Sequence, residues 1–320
     1  MTEQECAAWL LQRDNLLLIT HRRPDGDTLG SAAALAGALR GIGKTVFVIK
    51  NPETTPRYMP IIEKFHAPED FTPDYIIAVD TATRDLFPDA AKAYEKIDLA
   101  IDHHPSNTHY AENTRCEPER ASCGEVVFSL LTQLGGEKII TPETATALYI
   151  AVSTDTGCFS YENTDSNAFH TAARLTALGA DAARLNRVLF RSKTRARAEI
   201  EGMLYSDMRF PCNGQAAVAV ITLDMTTRAG ADEDDMENIA ALPASIEGVL
   251  VGVTVRELRD NRGSKVSVRS LPGVDSNKIC ARFGGGGHAA AAGFTSKLSV
   301  NELVPQVISV LDELLGVTAP

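Results

Sequence analysis

The sequence predicts an α/β protein: a doubly wound parallel sheet followed by a second, smaller α/β domain. Three observations carry this expectation. Short apolar runs in the first half each end at a polar cluster, helix-like stretches separate them, and a fresh strand pattern begins in the last third of the chain.

In chain order, LLLIT leads to His21, VFVI fills residues 46–49, YIIAV leads to Asp80 and LAI leads to Asp102. Runs this short without polar alternation read as strands buried on both faces, the habit of parallel sheets, and SAAALAGALRGIG reads as a crossover helix. In such sheets ligands sit beyond the carboxyl ends of the strands, where His21, Asp80 and the Asp102 cluster fall. The first domain is expected over residues 1–190. The stretch RLNRVLFRSKTRARAEIEGMLYSDM has helical apolar spacing and clustered charge, so residues 191–213 read as a helical connector. A second domain, residues 214–320, offers the strand AAVAVITL, a helix opened by the acidic ADEDDMENIAAL, the strands VLVGVTVRE and KVSVRS, a glycine run, and a last helix from about Val300 to Leu315.

At 320 residues and 44% hydrophobic composition the chain is long enough to bury two cores. No apolar run approaches the ~18 residues that span a bilayer, and MTEQECAAWL has neither the basic start nor the apolar centre of a secretory leader. A cytoplasmic protein off the membrane is therefore expected. Six cysteines without a CxxC pair argue against structural zinc and suit a reducing compartment. A net charge of −11 disfavours coating long nucleic acid, which needs many Lys and Arg contacts, yet leaves room for a small anion held by a local basic cluster.

HRRPDGDTLGS, residues 21–31, sits between a strand and a helix, so one loop presents His21, Asp25 and Asp27 together. An imidazole mixed with carboxylates suits Mn²⁺, Co²⁺, Fe²⁺ or Zn²⁺ better than Ca²⁺, which prefers oxygen. Alternatively, the aspartates merely cap the next helix. Asp80, the Asp102-His103-His104 triplet and Asp155 repeat the same chemistry after further apolar or helical runs, and two adjacent histidines after a strand are seldom needed for packing.

HRRPDGD, the Asp80 strand end, IDHH and STDTG resemble the metal-site motifs of the DHH phosphoesterase superfamily. That resemblance implies two divalent ions, manganese by preference: His21 and Asp25 on one, Asp27, His103 and Asp155 on the other, and Asp80 bridging both. It further implies that Asp102 orients a histidine and that His104 faces the substrate as hydrogen-bond donor or general acid. Two ions about 3.5–4 Å apart provide both a nucleophile at neutral pH and charge neutralisation on phosphoryl oxygens.

In the second half, ARFGGGGHAAAAGF is open to two readings, a flexible turn or an anion cradle of glycine N–H groups. VRELRDNRGSKVSVRS is locally basic, and a hairpin with solvated charges competes with a phosphate clamp of arginine forks, the latter favoured by the nearby glycines. SIEGVLVGVTVRE, KVSVRS, DSNKIC and GGGGH resemble the DHHA1 domain that follows the catalytic domain in this family. By that resemblance Arg256, Arg262, Lys265, Ser267, Arg269, Asn277, Gly285, Gly286 and His288 are candidate substrate contacts, with the active site in the interdomain cleft. The layout resembles the stand-alone bacterial enzymes that degrade very short oligoribonucleotides and remove the 3′-phosphate of adenosine 3′,5′-bisphosphate; relatives imply a homodimer. Two stretches depart from the family pattern. RASCGEVV has Cys123 and Gly124 where relatives carry a Ser/Thr-rich stretch, and only alanines lie between His288 and Gly293.

Other members of the superfamily fit less well. A manganese pyrophosphatase lacks the GGGGH run, a membrane-bound cyclic-dinucleotide phosphodiesterase needs segments ahead of His21, and a single-strand DNA exonuclease is longer. A soluble cyclic di-AMP or pApA phosphodiesterase is the closest alternative. From another class, an inactive nucleotide-binding regulator would normally have lost at least one ligand, and all are present here.

Overall fold

In the computed structural model, which describes residues 1–236, 238–260 and 262–316, the four apolar runs of the first half pair side by side and a polar fifth strand, NTRC, completes the sheet. This unit, Met1–Ser192, runs α1 (Glu3–Leu11), β1 (Leu16–Ile19), α2 (Gly26–Gly41), β2 (Val46–Val48), α3 (Met59–Ile62), β3 (Tyr75–Val79), β4 (Leu99–Asp102), β5 (Asn113–Cys116), α4 (Cys123–Gly135), α5 (Pro142–Asp155), α6 (Ser166–Ala177) and α7 (Ala182–Asn186). All strands are parallel, in the order β2-β1-β3-β4-β5. The chain steps outward from β1 to β2 and then crosses back to lay β3 on the other side. That reversal leaves a crevice at the carboxyl ends of β1 and β3, the position where open α/β sheets bind ligands.

β1, β2, β3 and the first three residues of β4 are continuously apolar because both faces are covered, whereas the edge strand β5 is the polar, half-buried NTRC. Leu16, Leu18, Val46, Val48, Ile77, Val79, Leu99 and Ile101 enter the core shared with the helices. Leu17, Ile19, Ile76 and Ala78 face the other way, onto Phe87, Ala91 and Ile97 from loops and 3₁₀ turns. Small residues let the helices converge: a Cβ on Gly30 of α2 would lie 2.4 Å from the Ala147 carbonyl oxygen of α5, and one on Gly124 of α4 would lie 2.6 Å from the Ala151 Cβ. The start of α2, the start of α4 and the end of α5 are thereby drawn together.

The second unit, Lys193–Pro320, comprises α8 (Arg195–Asp207), β6 (Ala216–Ile221), α9 (Leu223–Ala229), β7 (Val251–Glu257), β8 (Ser264–Ser270), α10 (Ser276–Ala281), β9 (Gly286–Gly287), β10 (Ala291–Ser296) and α11 (Val300–Leu314). Its sheet order is β6-β7-β8-β10-β9, parallel only between β6 and β7. Leu303, Val304, Val307 and Leu311 of α11 pack on Val218, Val253, Val266 and Val268. Ile200 and Leu204 of α8 share a separate core with Ala217, Ala219 and Ile221, so this helix is a wall of the second unit.

The helix expected from ADEDDMENIAAL does not form among the described residues; short 3₁₀ turns, Asp234–Met236, Ile239–Ala241 and Pro243–Ser245, stand there instead. The cause is local. The Asp232 and Asp235 carboxylates each accept from the other's backbone N–H, and Asn238 takes a left-handed φ of 58°, so side-chain-to-backbone bonds outcompete the helix ladder. All six cysteines are free thiols, four buried and two half-buried. No described helix is long and apolar enough to cross a membrane.

Candidate metal centre

Each metal-binding candidate stands at the end of an element. Asp25 caps α2, its Oδ1 accepting from the N–H groups of Asp27 (3.0 Å) and Thr28 (3.2 Å). The Thr28 hydroxyl donates to the Val79 carbonyl at 3.0 Å, tying this loop to the end of β3. Asp80 follows β3 in a left-handed conformation, φ 53°, which costs energy for any residue but glycine and which the surrounding structure enforces. His103 and His104 follow β4, and Asp155 is the last residue of α5.

These side chains meet in two groups. His21 Nε2 lies 3.7 Å from Asp25 and 3.8 Å from Asp80 Oδ2. His103 Nε2 lies 3.7 Å from Asp27, 3.4 Å from Asp155 and 3.6 Å from Asp80 Oδ1. The two oxygens of Asp80 thus face different donor sets. Each set, His21-Asp25-Asp80 and Asp27-His103-Asp155, offers ligand atoms within 4.8 Å of one another, and His104 with Asp80 and His103 forms a third such group.

The outward imidazole nitrogens are fixed from behind. Nδ1–H of His21 donates to the Arg22 carbonyl at 2.8 Å and that of His103 to the Arg120 carbonyl at 3.1 Å, which leaves Nε2 with its lone pair toward the carboxylates. Burial also holds the His103 pKa below the ordinary imidazole value. Burial, reinforced by neighbouring carboxylates, raises the Asp27 and Asp80 carboxyls well above their usual range and Asp155 to about 7. Asp80 Oδ1 is buried without a hydrogen-bond partner. Clustered carboxylates that disfavour one another's ionisation, an orphaned buried oxygen and two outward lone pairs together fit divalent cations.

Asp102 is placed to orient His104. Its Oδ1 accepts from His104 Nδ1 at 2.8 Å and its Oδ2 from Asn107 Nδ2 at 2.5 Å. The Asp102 bond raises the His104 pKa. Asn107 escaped the sequence reading, as did the support of Asp27, which accepts from Ser31 Oγ (3.0 Å) and from the backbone N–H groups of Cys123 (2.7 Å) and Gly124 (2.9 Å). The departure at RASCGEVV is therefore harmless to this contact, because the amides supply it. Ser31 had one available signal, its position four residues after Asp27 on the same helix.

The substrate-contact candidates all lie in the second unit. Lys265, Ser267 and Arg269 alternate along β8, opposite Arg256, Thr254 and Gly252 of β7, while Val266 and Val268 are buried. Arg262 lies in the β7–β8 turn, its Nε on the Arg259 carbonyl at 3.3 Å. The glycine run leaves α10 in a turn, with the Gly285 N–H on the Cys280 carbonyl at 3.0 Å, and ends in a short strand: Gly286 and Gly287 pair with Gly293 and Ala292, Asn277 Oδ1 accepts from the Gly287 N–H at 3.0 Å, and Gly285 lies close under Phe294. His288 is exposed. Arg256 forks onto Glu233, whose carboxyl it holds below the usual range.

Residues 15–152 match the family model of the DHH family, N-terminal domain, and residues 213–316 that of the DHHA1 domain. A Thermus thermophilus protein named bifunctional oligoribonuclease and PAP phosphatase NrnA is 31% identical over 304 residues, covering 94% of this chain and 90% of that protein. The crystal structure of an exopolyphosphatase-related protein from Bacteroides fragilis superposes with a TM-score of 0.86 at 24% identity, over 98% of this chain and 97% of that one. The exonuclease RecJ, solved bound to manganese, shares the fold at a TM-score of 0.56 and 16% identity, over 100% of this chain and 95% of that one.

Proposed function

Because the chain belongs to the DHH family and continues into a DHHA1 domain, we propose that it hydrolyses very short oligoribonucleotides to mononucleotides and removes the 3′-phosphate of adenosine 3′,5′-bisphosphate. The observation that carries this reading is Asp80, whose two oxygens face two separate donor sets. His21 and Asp25 would hold one ion, Asp27, His103 and Asp155 the other, with Asp80 shared. The mixture of imidazole and carboxylate favours manganese. Bound divalent ions supply a nucleophile at neutral pH and neutralise charge on the phosphoryl oxygens.

The remaining work falls to side chains. With Nδ1 committed to Asp102, His104 has Nε2 to donate to the leaving oxygen. Lys265, Arg269, Arg262 and His288 give the substrate cations and donors, Ser267 and Asn277 neutral hydrogen bonds, and the side-chain-free backbone at Gly285 and Gly286 a close approach for phosphate. Arg256 joins them by exchanging Glu233 for phosphate. A homodimer in the cytoplasm that does not bind long duplex nucleic acid completes the reading.

The Thermus thermophilus relative, named for both activities, spans nearly the whole chain, which supports carrying both over. The test is Mn²⁺-dependent hydrolysis of a diribonucleotide, a 5-mer, adenosine 3′,5′-bisphosphate, pApA, cyclic di-AMP and pyrophosphate. Mononucleotides from short RNA and AMP from the bisphosphate are expected. Preference for cyclic di-AMP or pApA would replace the reading with turnover of a nucleotide signal.

A further inference from the structure

The turn that follows Asp155 is more strained and more aromatic than ligand placement requires. Gly157, Cys158 and Phe159 are left-handed in succession, with φ of 55°, 56° and 62°. Two of these are not glycine, a costly backbone that persists only where its surroundings enforce it. Here Thr156 does so: its carbonyl accepts from the N–H groups of Ser160 (2.8 Å) and Tyr161 (3.0 Å), and its hydroxyl accepts from the Phe159 N–H at 3.2 Å. Asn163 then fastens the turn to the metal centre, its Nδ2 donating to the carbonyls of Asp155 (3.1 Å) and Ala121 (3.0 Å).

The product of this geometry is a displayed ring. Three ring carbons of Tyr161 lie 2.4–2.7 Å from where a Cβ on Gly157 would stand, so the ring rests on a backbone that only glycine leaves bare. Its other side is open, and Tyr161 is 59% exposed. Gly157 is two residues from Asp155, at most roughly 7 Å of chain, so the ring is within one nucleotide's reach of the centre.

We propose that Tyr161, backed by Gly157, is a stacking platform for a nucleobase of the substrate, a subsite built by the same unit that carries the metal centre. The proposal rests on the phosphoesterase reading above and names what the enzyme holds besides phosphate. Stacking tolerates any base because every base has a π-face, which suits an enzyme of short oligoribonucleotides of mixed sequence.

The experiment compares diadenylate with its doubly abasic analogue, and measures quenching of a 2-aminopurine dinucleotide by the calcium-loaded protein. In Tyr161→Ala the ratio of kcat/KM for diadenylate over the abasic analogue falls about ten-fold, the scale of a base–aromatic stack. Quenching is lost in the same variant, and Tyr161→Phe restores both. An unchanged ratio in Tyr161→Ala, or equal loss on both substrates together with a changed sedimentation coefficient, overturns the subsite; the latter would make the ring a contact between copies. A wild type that cleaves diadenylate without base-dependent quenching overturns this proposal alone, and one that neither cleaves nor binds it overturns both readings.

Discussion

Asp80 does three things at one position: it holds a left-handed backbone, it buries a carboxylate with an oxygen left unbonded, and it faces the imidazoles of His21, His103 and His104. His104 depends on its neighbours in a different way, through Asp102 and then Asn107. Replacing His104 by Ala should lower kcat by about 10²–10⁴-fold with KM little changed, as loss of general acid catalysis does. Asn107→Ala should cost about 10–100-fold, the scale of losing a partner that orients a functional group; wild-type kcat in that variant would show that Asp102 orients His104 unaided. The residues of this cluster were legible in the sequence because each stands at the end of an apolar or helical run or on the loop that follows one. Asn107 and the amides of Cys123 and Gly124 were not, since the first is an ordinary loop residue and the others act through the backbone. Glu233 was equally hidden as the partner of Arg256, 23 residues away along the chain.

At the scale of elements, the centre depends on how closely α2 and α4 press on α5. Gly124→Ala would set a methyl 2.6 Å from the Ala151 Cβ and 3.3 Å from the Val152 nitrogen. The expected cost is about 1–3 kcal/mol, or roughly 2–4 °C in Tm per kcal/mol for a unit of this size. Manganese should bind more weakly too, because the displaced helix carries the amides that hold Asp27. A calorimetric melt and a metal titration of the same sample check both. Four of the parallel strands were readable as apolar runs, but the polar edge strand β5 was not, and 231–242 misled: an acidic start resembles a helix N-terminus, but Asp232 and Asp235 bond each other's backbone and close a tighter turn. The glycine run was ambiguous by composition, and pairing with β10 made its last two residues, Gly286 and Gly287, a short strand.

For the whole molecule, the raised carboxyl pKa values couple metal to stability. In metal-free protein Asp155 titrates at about 7 and Asp27 and Asp80 also lie above the ordinary 3.8. Folding therefore favours their protonated forms; the stabilisation is complete below about pH 4 and is lost as pH rises through 7. In EDTA, Tm should fall between pH 5.5 and pH 8 through these groups, manganese should raise it more at pH 8, and Asp155→Asn should flatten the metal-free slope. The opposite slope would mean that the carboxylates are already compensated without metal. In the second unit, Arg269→Ala and His288→Ala should chiefly raise KM, as loss of uniform substrate binding does; a fall in kcat at constant KM would move these residues into transition-state stabilisation. The two-unit plan was readable from the renewed strand pattern, but the allegiance of α8 was not, since only packing assigns Ile200 and Leu204 to the core beside β6.

A pair of ions sharing Asp80 is tested most directly by the manganese stoichiometry and electron paramagnetic resonance spectrum of the loaded protein. Two Mn²⁺ per chain with an exchange-coupled signal, replaced in Asp80→Asn by weaker binding and an uncoupled signal, is the predicted result. A single uncoupled ion per chain at saturation in the wild type would contradict it.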